Sequence, residues 1–272
     1  MIISKMKIFL LSLVSLICFS AFGQKQIVFQ SKNLPKPDTT WVFTPKKISN
    51  GQKFPAVILL HGWSGNYKQW NNIMDAQKYA DEYGYVLICP DGLFDSWYLN
   101  SPVMPQNQYE SFFFDELLPK MKTDYPIDSN HVFITGLSMG GHGALWLFLK
   151  HPEMFKSAGS TSGGINLRDA YGKYGASALL GNPAKDSEIW DKYAVAGNID
   201  KLAGTNKEII FDCGADDFFY QSNNKLKQKC DSLKIQATYI SQPGAHNAAY
   251  WKKSIKQQFE FFQKQISKPK TP

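Results

Sequence analysis

Continuous apolar runs that end in turns, each followed by a stretch with helical spacing, recur along almost the whole chain. The runs are FPAVILLHG (54–62), YVLICPDG (85–92), HVFITG (131–136), KEIIFDCG (207–214) and IQATYISQ (235–242), with a further strand expected near 156–161. A short run of this kind, bounded by turn residues, reads as a strand covered on both faces. The helical segments are NIMDAQKYADEYG (72–84), QYESFFFDELL (108–118), GGHGALWLFLKH (140–151), SNNKLKQKCDSL (222–233) and AAYWKKSIKQQFEFFQKQ (248–265). Gly84 stops the first of them, and Pro119 limits the second. Residues 24–40 are polar and proline-containing, and read as a strand with a mobile lead-in. Alternating strands and helices with short connections predict an α/β fold. Its sheet is mostly parallel, has about eight strands and is flanked by helices on both faces. Such a sheet holds its ligand at the carboxyl ends of its strands.

Two segments stand outside the alternation. Residues 1–23 begin with Lys5 and Lys7, continue in an apolar run from Ile8 to Phe19, and end in Ala21-Phe22-Gly23. That is the layout of a secretory signal peptide, too short in its apolar part for a membrane span. The expectation is a single catalytic domain over 24–272 that is secreted or periplasmic, with no stable membrane span. Residues 163–204 are rich in glycine and polar residues and lie between two expected strands, which reads as a small cap over the strand ends.

Composition narrows the partners. The net charge of +7 falls to +5 without the leader, which holds two lysines and no acid. The basic residues are dispersed, with a mild concentration at Lys252, Lys253, Lys256, Lys264, Lys268 and Lys270, and Arg168 is the only arginine. A nucleic-acid surface would show clustered basic residues, so none is expected. Three cysteines follow the leader, Cys89, Cys213 and Cys230. That odd, low count is not a disulfide scaffold, and one bridge is the most it allows. No Cys/His spacing suggests a metal site, and no cofactor is expected.

The chemistry is read from GLSMGG (136–141), which closes one expected strand and opens a helix. In that setting G-x-S-x-G is a nucleophile elbow with Ser138 at its tip. Gly136 and Gly140 leave room for the turn to close, and Gly141 lets the helix approach the sheet. In folds with this elbow the chain order is nucleophile, acid, base. His61 and His131 precede Ser138. His142 lies on the same helix, and His151 sits at that helix's C-terminal end, where the helix dipole favours it. His246, in QPGAHNAAYW, is therefore the expected base. The acid belongs to the loop in FDCGADDFF, where Asp212 still lies in the strand and Asp216 and Asp217 both follow the glycine turn; the pattern does not separate those two. Two backbone amides must hold an oxyanion. They are assigned to Met139, next to the nucleophile, and to Trp63, in the loop LLHGWSGN (59–66).

Taken together, LLHGWSGN, DSWYLNSP (95–102), QYESFFFDELLP (108–119), GLSMGGHGAL (136–145), KHPEMF (150–155), DCGADDFF (212–219) and PGAHNAAYW (243–251) make the chain resemble the esterase D-type branch of the α/β-hydrolases. That branch includes feruloyl and acetyl-xylan esterases, tributyrin-type esterases, S-formylglutathione hydrolases and mycolyltransferases. The resemblance spans roughly residues 40–265. It implies an α/β-hydrolase fold, selects Asp217 over Asp216 as the acid, and agrees with Trp63 and Met139 as oxyanion donors. It implies a serine carboxylesterase acting through an acyl-enzyme. The aromatic residues near the expected cleft suggest substrate contacts from Trp97, Tyr98, Phe218 and Trp251. With the leader they point to feruloyl or acetyl esters on plant polysaccharides, with short-chain acyl esters as the alternative. Acyl transfer and a non-catalytic binding role stand further back.

Overall fold

A computed structural model describes residues 23–267. The leader expectation therefore lies, Gly23 apart, outside the described residues. Eight strands form one sheet: β1 Gln24–Phe29, β2 Asp38–Phe43, β3 Phe54–Leu60, β4 Val86–Pro90, β5 Ile127–Gly136, β6 Ser157–Thr161, β7 Glu208–Gly214 and β8 Gln236–Gln242. Their order is β1-β2-β4-β3-β5-β6-β7-β8. The pairs β1/β2 and β2/β4 are antiparallel and all others are parallel. The expected α/β-hydrolase sheet is thus present. The lead-in at 24–40 holds two strands at the antiparallel edge in place of one.

Apart from the first half of β5, each central strand is a nearly unbroken buried run. All of Val86–Pro90 and Ser157–Thr161 is buried, and one residue of Phe54–Leu60 is even partly exposed. Two hydrophobic clusters cover the two faces of the sheet. Burial on both sides is why the strands carry no polar alternation.

The helices depart from expectation in two places. The 72–84 segment is broken at Met74, and a second helix restarts at Ala76 because Asp75 accepts the Lys78 N–H as its cap; Gly84, at φ 65°, ends it as expected. Pro119 does not end its helix. Tyr109–Phe112 passes through a π-helical turn at Phe113–Leu117 into a helix at Leu118–Asp124, which has the proline in its first turn. There a missing N–H costs no hydrogen bond.

Between β6 and β7, residues 163–204 form short helical segments, the longest Ser187–Tyr193. Cys89, Cys213 and Cys230 are free and buried, so the single bridge that the count allowed is not formed. No helix of the described residues is long and apolar enough to cross a membrane.

The helix Met139–Lys150 runs back through the core from Ser138, and every residue from Met139 to Leu149 is buried. His142 lies on it with Nδ1 facing the Trp97 carbonyl at 3.2 Å and Nε2 facing the Tyr193 carbonyl at 3.0 Å. Those carbonyls favour the charged ring, but complete burial outweighs them and pushes its pKa down to about 4. The unfolded chain takes up that proton near pH 6.5, and the folded chain only near 4. The contribution is therefore whole above about pH 6.5 and is lost as the pH falls towards 4, by on the order of 3 kcal/mol. Urea unfolding of the wild type and His142→Gln across that window should show a shallower pH slope in the variant. Equal slopes would refute the assignment.

Candidate active site

The end of β5 meets its helix at a sharp turn. Ser138 has φ 56° and ψ −117°, a backbone region that residues with a side chain seldom occupy. Hydrogen bonds hold it there. The Ser138 N–H donates to the Thr161 carbonyl at 3.0 Å, and the Ser138 carbonyl accepts from His142 N–H at 3.1 Å and Gly164 N–H at 3.2 Å. The turn closes only because its flanks lack side chains. A Cβ on Gly136 would lie 2.3 Å from the Gly140 carbonyl oxygen, and one on Gly140 would lie 2.3 Å from the Leu60 carbonyl oxygen. A Cβ on Gly141 would lie 2.6 Å from Ser160 Oγ on β6, which agrees with its expected role in helix approach.

Ser138, His246 and Asp217 form one hydrogen-bonded chain. His246 Nε2 is 2.9 Å from Ser138 Oγ, and His246 Nδ1 is 2.9 Å from Asp217 Oδ2. A carboxylate accepts and cannot donate, so Nδ1 carries the proton and Nε2 is free to take the serine's. Asp217 is buried, and its other oxygen accepts the Phe219 N–H at 2.8 Å. Asp216 is exposed and makes only a backbone contact, to the Gly244 carbonyl. Asp212 remains in β7, buried, where it accepts from Thr161, Ser254 and Gln258. Burial raises its pKa, and its role is to tie β6 and the C-terminal helix Ala248–Ile266 to β7.

Gly62 packs against the elbow: a Cβ there would lie 3.3 Å from Ser138 Cβ. Among the described residues, neither the Trp63 nor the Met139 N–H donates to another protein group. One is in the turn beside the nucleophile, and the other opens the helix. Free backbone amides at such positions suit an anion. His61 supports the first. It is buried, with Nδ1 at 2.7 Å from the Gly62 carbonyl and Nε2 accepting the Gly92 N–H at 2.7 Å, so it joins the ends of β3 and β4 and has no role beside Ser138.

A cavity of about 210 Å³ opens over Ser138, walled by Gly62, Trp63, Gln69, Leu137, Tyr174, Phe218, His246 and Trp251. Phe218 and Trp251 are thus placed in the cleft, at 4.2 and 5.1 Å from the His246 ring. Trp97 and Tyr98 are not. Both are buried in the core. Trp97 Nε1 donates to the Tyr174 carbonyl at 2.9 Å, and Tyr98 Oη donates to the His61 carbonyl at 2.9 Å. Their backbones take φ 51° and 60°, which turns the rings inward onto glycine surfaces. A Cβ on Gly164 would lie 2.8 Å from the Trp97 ring, and one on Gly143 would lie 2.2 Å from the Tyr98 ring. Their task is to support the strand-end loops from beneath. Phe219 and Tyr250 are buried as well.

Sequence reasoning missed Tyr174, Gln69 and Phe94. Tyr174 enters from the segment between β6 and β7 and lies between Trp63, at 5.5 Å, and Phe218, at 6.3 Å and stacked. Phe94 extends the row, 5.2 Å from Trp63 and half exposed. No group of three or more His, Cys, Asp or Glu residues suited to a metal occurs among the described residues.

This fold, with a serine, histidine and aspartate joined at the strand ends, defines a serine hydrolase of the α/β-hydrolase class. The chain belongs to the esterase family described as "Putative esterase", which matches residues 31–262. It is therefore a carboxylic ester hydrolase. It is 27% identical over 267 residues to an acetyl esterase of Caldicellulosiruptor saccharolyticus, covering 88% of this chain and 97% of that one. It is 28% identical over 257 residues to an S-formylglutathione hydrolase of Mus musculus, covering 85% and 90%. Among solved structures it is similar to a ferulic acid esterase, with a TM-score of 0.73 at 23% identity over 90% of this chain and 99% of that one.

Proposed function

We propose that Ser138, His246 and Asp217 are the catalytic triad of an exported esterase that cleaves feruloyl or acetyl esters of plant polysaccharides. The observation that carries the catalytic part is the unbroken chain from Ser138 Oγ through His246 to the buried Asp217 carboxylate. His246 Nε2 takes the serine proton as Oγ attacks the ester carbonyl. The Trp63 and Met139 amides receive the charge that develops on the carbonyl oxygen. His246 then returns the proton to the departing alcohol, and a water molecule repeats the sequence on the acyl-enzyme. Asp217 keeps the imidazole in its productive tautomer and stabilises its charged form.

Three things support the substrate. Export rests on the leader at 1–23. The row Phe94, Trp63, Tyr174 and Phe218 gives flat apolar walls next to the nucleophile, suited to an aromatic acyl group or the face of a sugar. The acetyl esterase among its relatives and the ferulic acid esterase among similar structures point the same way. A second reading, hydrolysis of simple short acyl esters or of a thioester such as S-formylglutathione, is favoured by relatives bearing that name.

The test is a product screen on feruloylated and acetylated xylan oligosaccharides, p-nitrophenyl acetate and S-formylglutathione. With each kcat/KM divided by the ester's own rate with hydroxide, we expect the value on one of the saccharide esters to exceed that on the simple esters by at least about tenfold, the worth of one well-placed stacking contact. Equal or higher values on p-nitrophenyl acetate or S-formylglutathione would reverse the substrate assignment. Folded protein without activity on any of them would overturn the hydrolytic reading.

A further inference from the structure

Gly62 is the loosest link in the turn that carries the Trp63 amide. It must be glycine, because a Cβ there would lie 2.7 Å from the Leu137 side chain. Glycine does little to restrict its own φ and ψ, so the peptide units on either side of it have to be held from outside. A trans peptide points its C=O and its N–H in opposite directions, and no cis bond occurs among the described residues. Holding one end of such a unit therefore aims the other.

In the His61–Gly62 unit both ends are held. Tyr98 Oη donates to the His61 carbonyl at 2.9 Å, and the Gly62 N–H donates to Gln69 Oε1 at 2.8 Å. Among the described residues no other group accepts the Gly62 N–H. In the Gly62–Trp63 unit only the carbonyl is held: it accepts from Gly65 N–H at 3.0 Å and faces His61 Nδ1 at 2.7 Å. The opposite end is the Trp63 N–H, left for the oxyanion. Gln69 is itself anchored at the start of the short helix Gln69–Ile73. Its N–H donates to the Asn66 carbonyl at 2.9 Å, and the next residue, Trp70, is buried with Nε1 donating to the Leu60 carbonyl at 2.9 Å, at the end of β3.

We propose that Gln69 is a positioning residue of the oxyanion hole: its side-chain oxygen fixes Gly62 and so aims the Trp63 amide at the reacting carbonyl. This rests on the reading of Ser138 as the nucleophile and of Trp63 as an oxyanion donor. Without that oxygen the His61–Gly62 unit keeps only its carbonyl contact and can turn about its own axis, which lets the Trp63 N–H swing. The ground-state ester draws little on that donor, whereas the tetrahedral anion depends on it. Acylation and deacylation both pass through the anion, so the loss falls on kcat and spares KM.

Gln69→Met tests this, because it keeps an unbranched side chain and removes the acceptor. On p-nitrophenyl acetate kcat should fall about tenfold with KM within about twofold, less than the roughly 10²- to 10³-fold that loss of a whole oxyanion donor costs. The second readout is inhibition by 3-phenyl-1,1,1-trifluoropropan-2-one. Ser138 Oγ adds to its carbonyl carbon, the serine proton passes to His246, and the carbonyl oxygen becomes the anion in the hole, with no group leaving. Its Ki should rise by the same factor of about tenfold. Gln69→Leu serves both measurements where Gln69→Met does not fold. An unchanged kcat, an unchanged Ki, or a loss in kcat/KM that lies wholly in KM overturns the proposal and leaves the triad in place. A folded wild type inactive on p-nitrophenyl acetate and on every ester of the product screen overturns the hydrolytic reading, and this proposal with it.

Discussion

Ser138→Ala is expected to fold as the wild type does and to lose ester hydrolysis by on the order of 10⁵- to 10⁶-fold in kcat. The substitution removes one oxygen and keeps the Cβ, so the backbone at φ 56° meets no new strain. The lost hydrogen bond is the one to His246 Nε2, at a partly exposed ring, so stability should change little. What remains is the cavity and the two free amides, which still bind substrate and polarise its carbonyl for attack by water. The measurement is kcat on p-nitrophenyl acetate at matched melting temperature. A variant that keeps even a hundredth of the activity would remove Ser138 from the mechanism.

Asp217→Ala should cost on the order of 10³- to 10⁴-fold in kcat, whereas Asp216→Ala should stay within about twofold. The two acids are adjacent in sequence and opposite in environment. Asp217 is buried and accepts from His246 Nδ1 and the Phe219 N–H. Without it the imidazole loses the partner that places its proton on Nδ1, and a ring protonated on Nε2 cannot accept from Ser138. Asp216 is exposed and its carboxylate touches neither His246 nor Ser138. The discriminating outcome is the ratio of the two losses. Comparable losses would show that the loop's conformation, and not the Asp217 carboxylate, supports His246.

The strands, Ser138 and His246 were legible for different reasons, while the pattern left Asp216 and Asp217 open and the family resemblance chose between them. FPAVILLHG and YVLICPDG announce buried strands because a strand covered on both faces has no solvent side for polar residues. His246 could be reached by chain order alone, because every other histidine lies on the wrong side of Ser138 or on its own helix. The aromatic walls were not legible in this way. A tryptophan and a tyrosine in a strand-end loop look the same in sequence whether they face substrate or core. The deciding signal was the glycines opposite them, Gly164 for Trp97 and Gly143 for Tyr98, whose missing side chains leave the space those rings fill. Such pairings join residues tens of positions apart and appear only once the chain is folded. Tyr174 and Gln69 were hidden for the same reason: one depends on the path of the chain between β6 and β7, the other on a turn whose amide donates to it. The helix through Pro119 escaped because a π turn before it cannot be read from apolar spacing.

The crowding at Gly136, Gly140 and Gly62 acts as a gauge. Gly140 rests on the Leu60 and His61 carbonyls, main chain against main chain, while Gly62 rests on the Leu137 side chain and on Ser138 Cβ. The approach of the elbow to the end of β3 is thus set at Gly136 and Gly140 by the hard dimensions of two backbones. Repacking of the Tyr174 and Phe218 rings can change the walls of the cavity over Ser138. Neither ring lies in the contact between the elbow and β3, so these cavity walls can vary while that contact is kept.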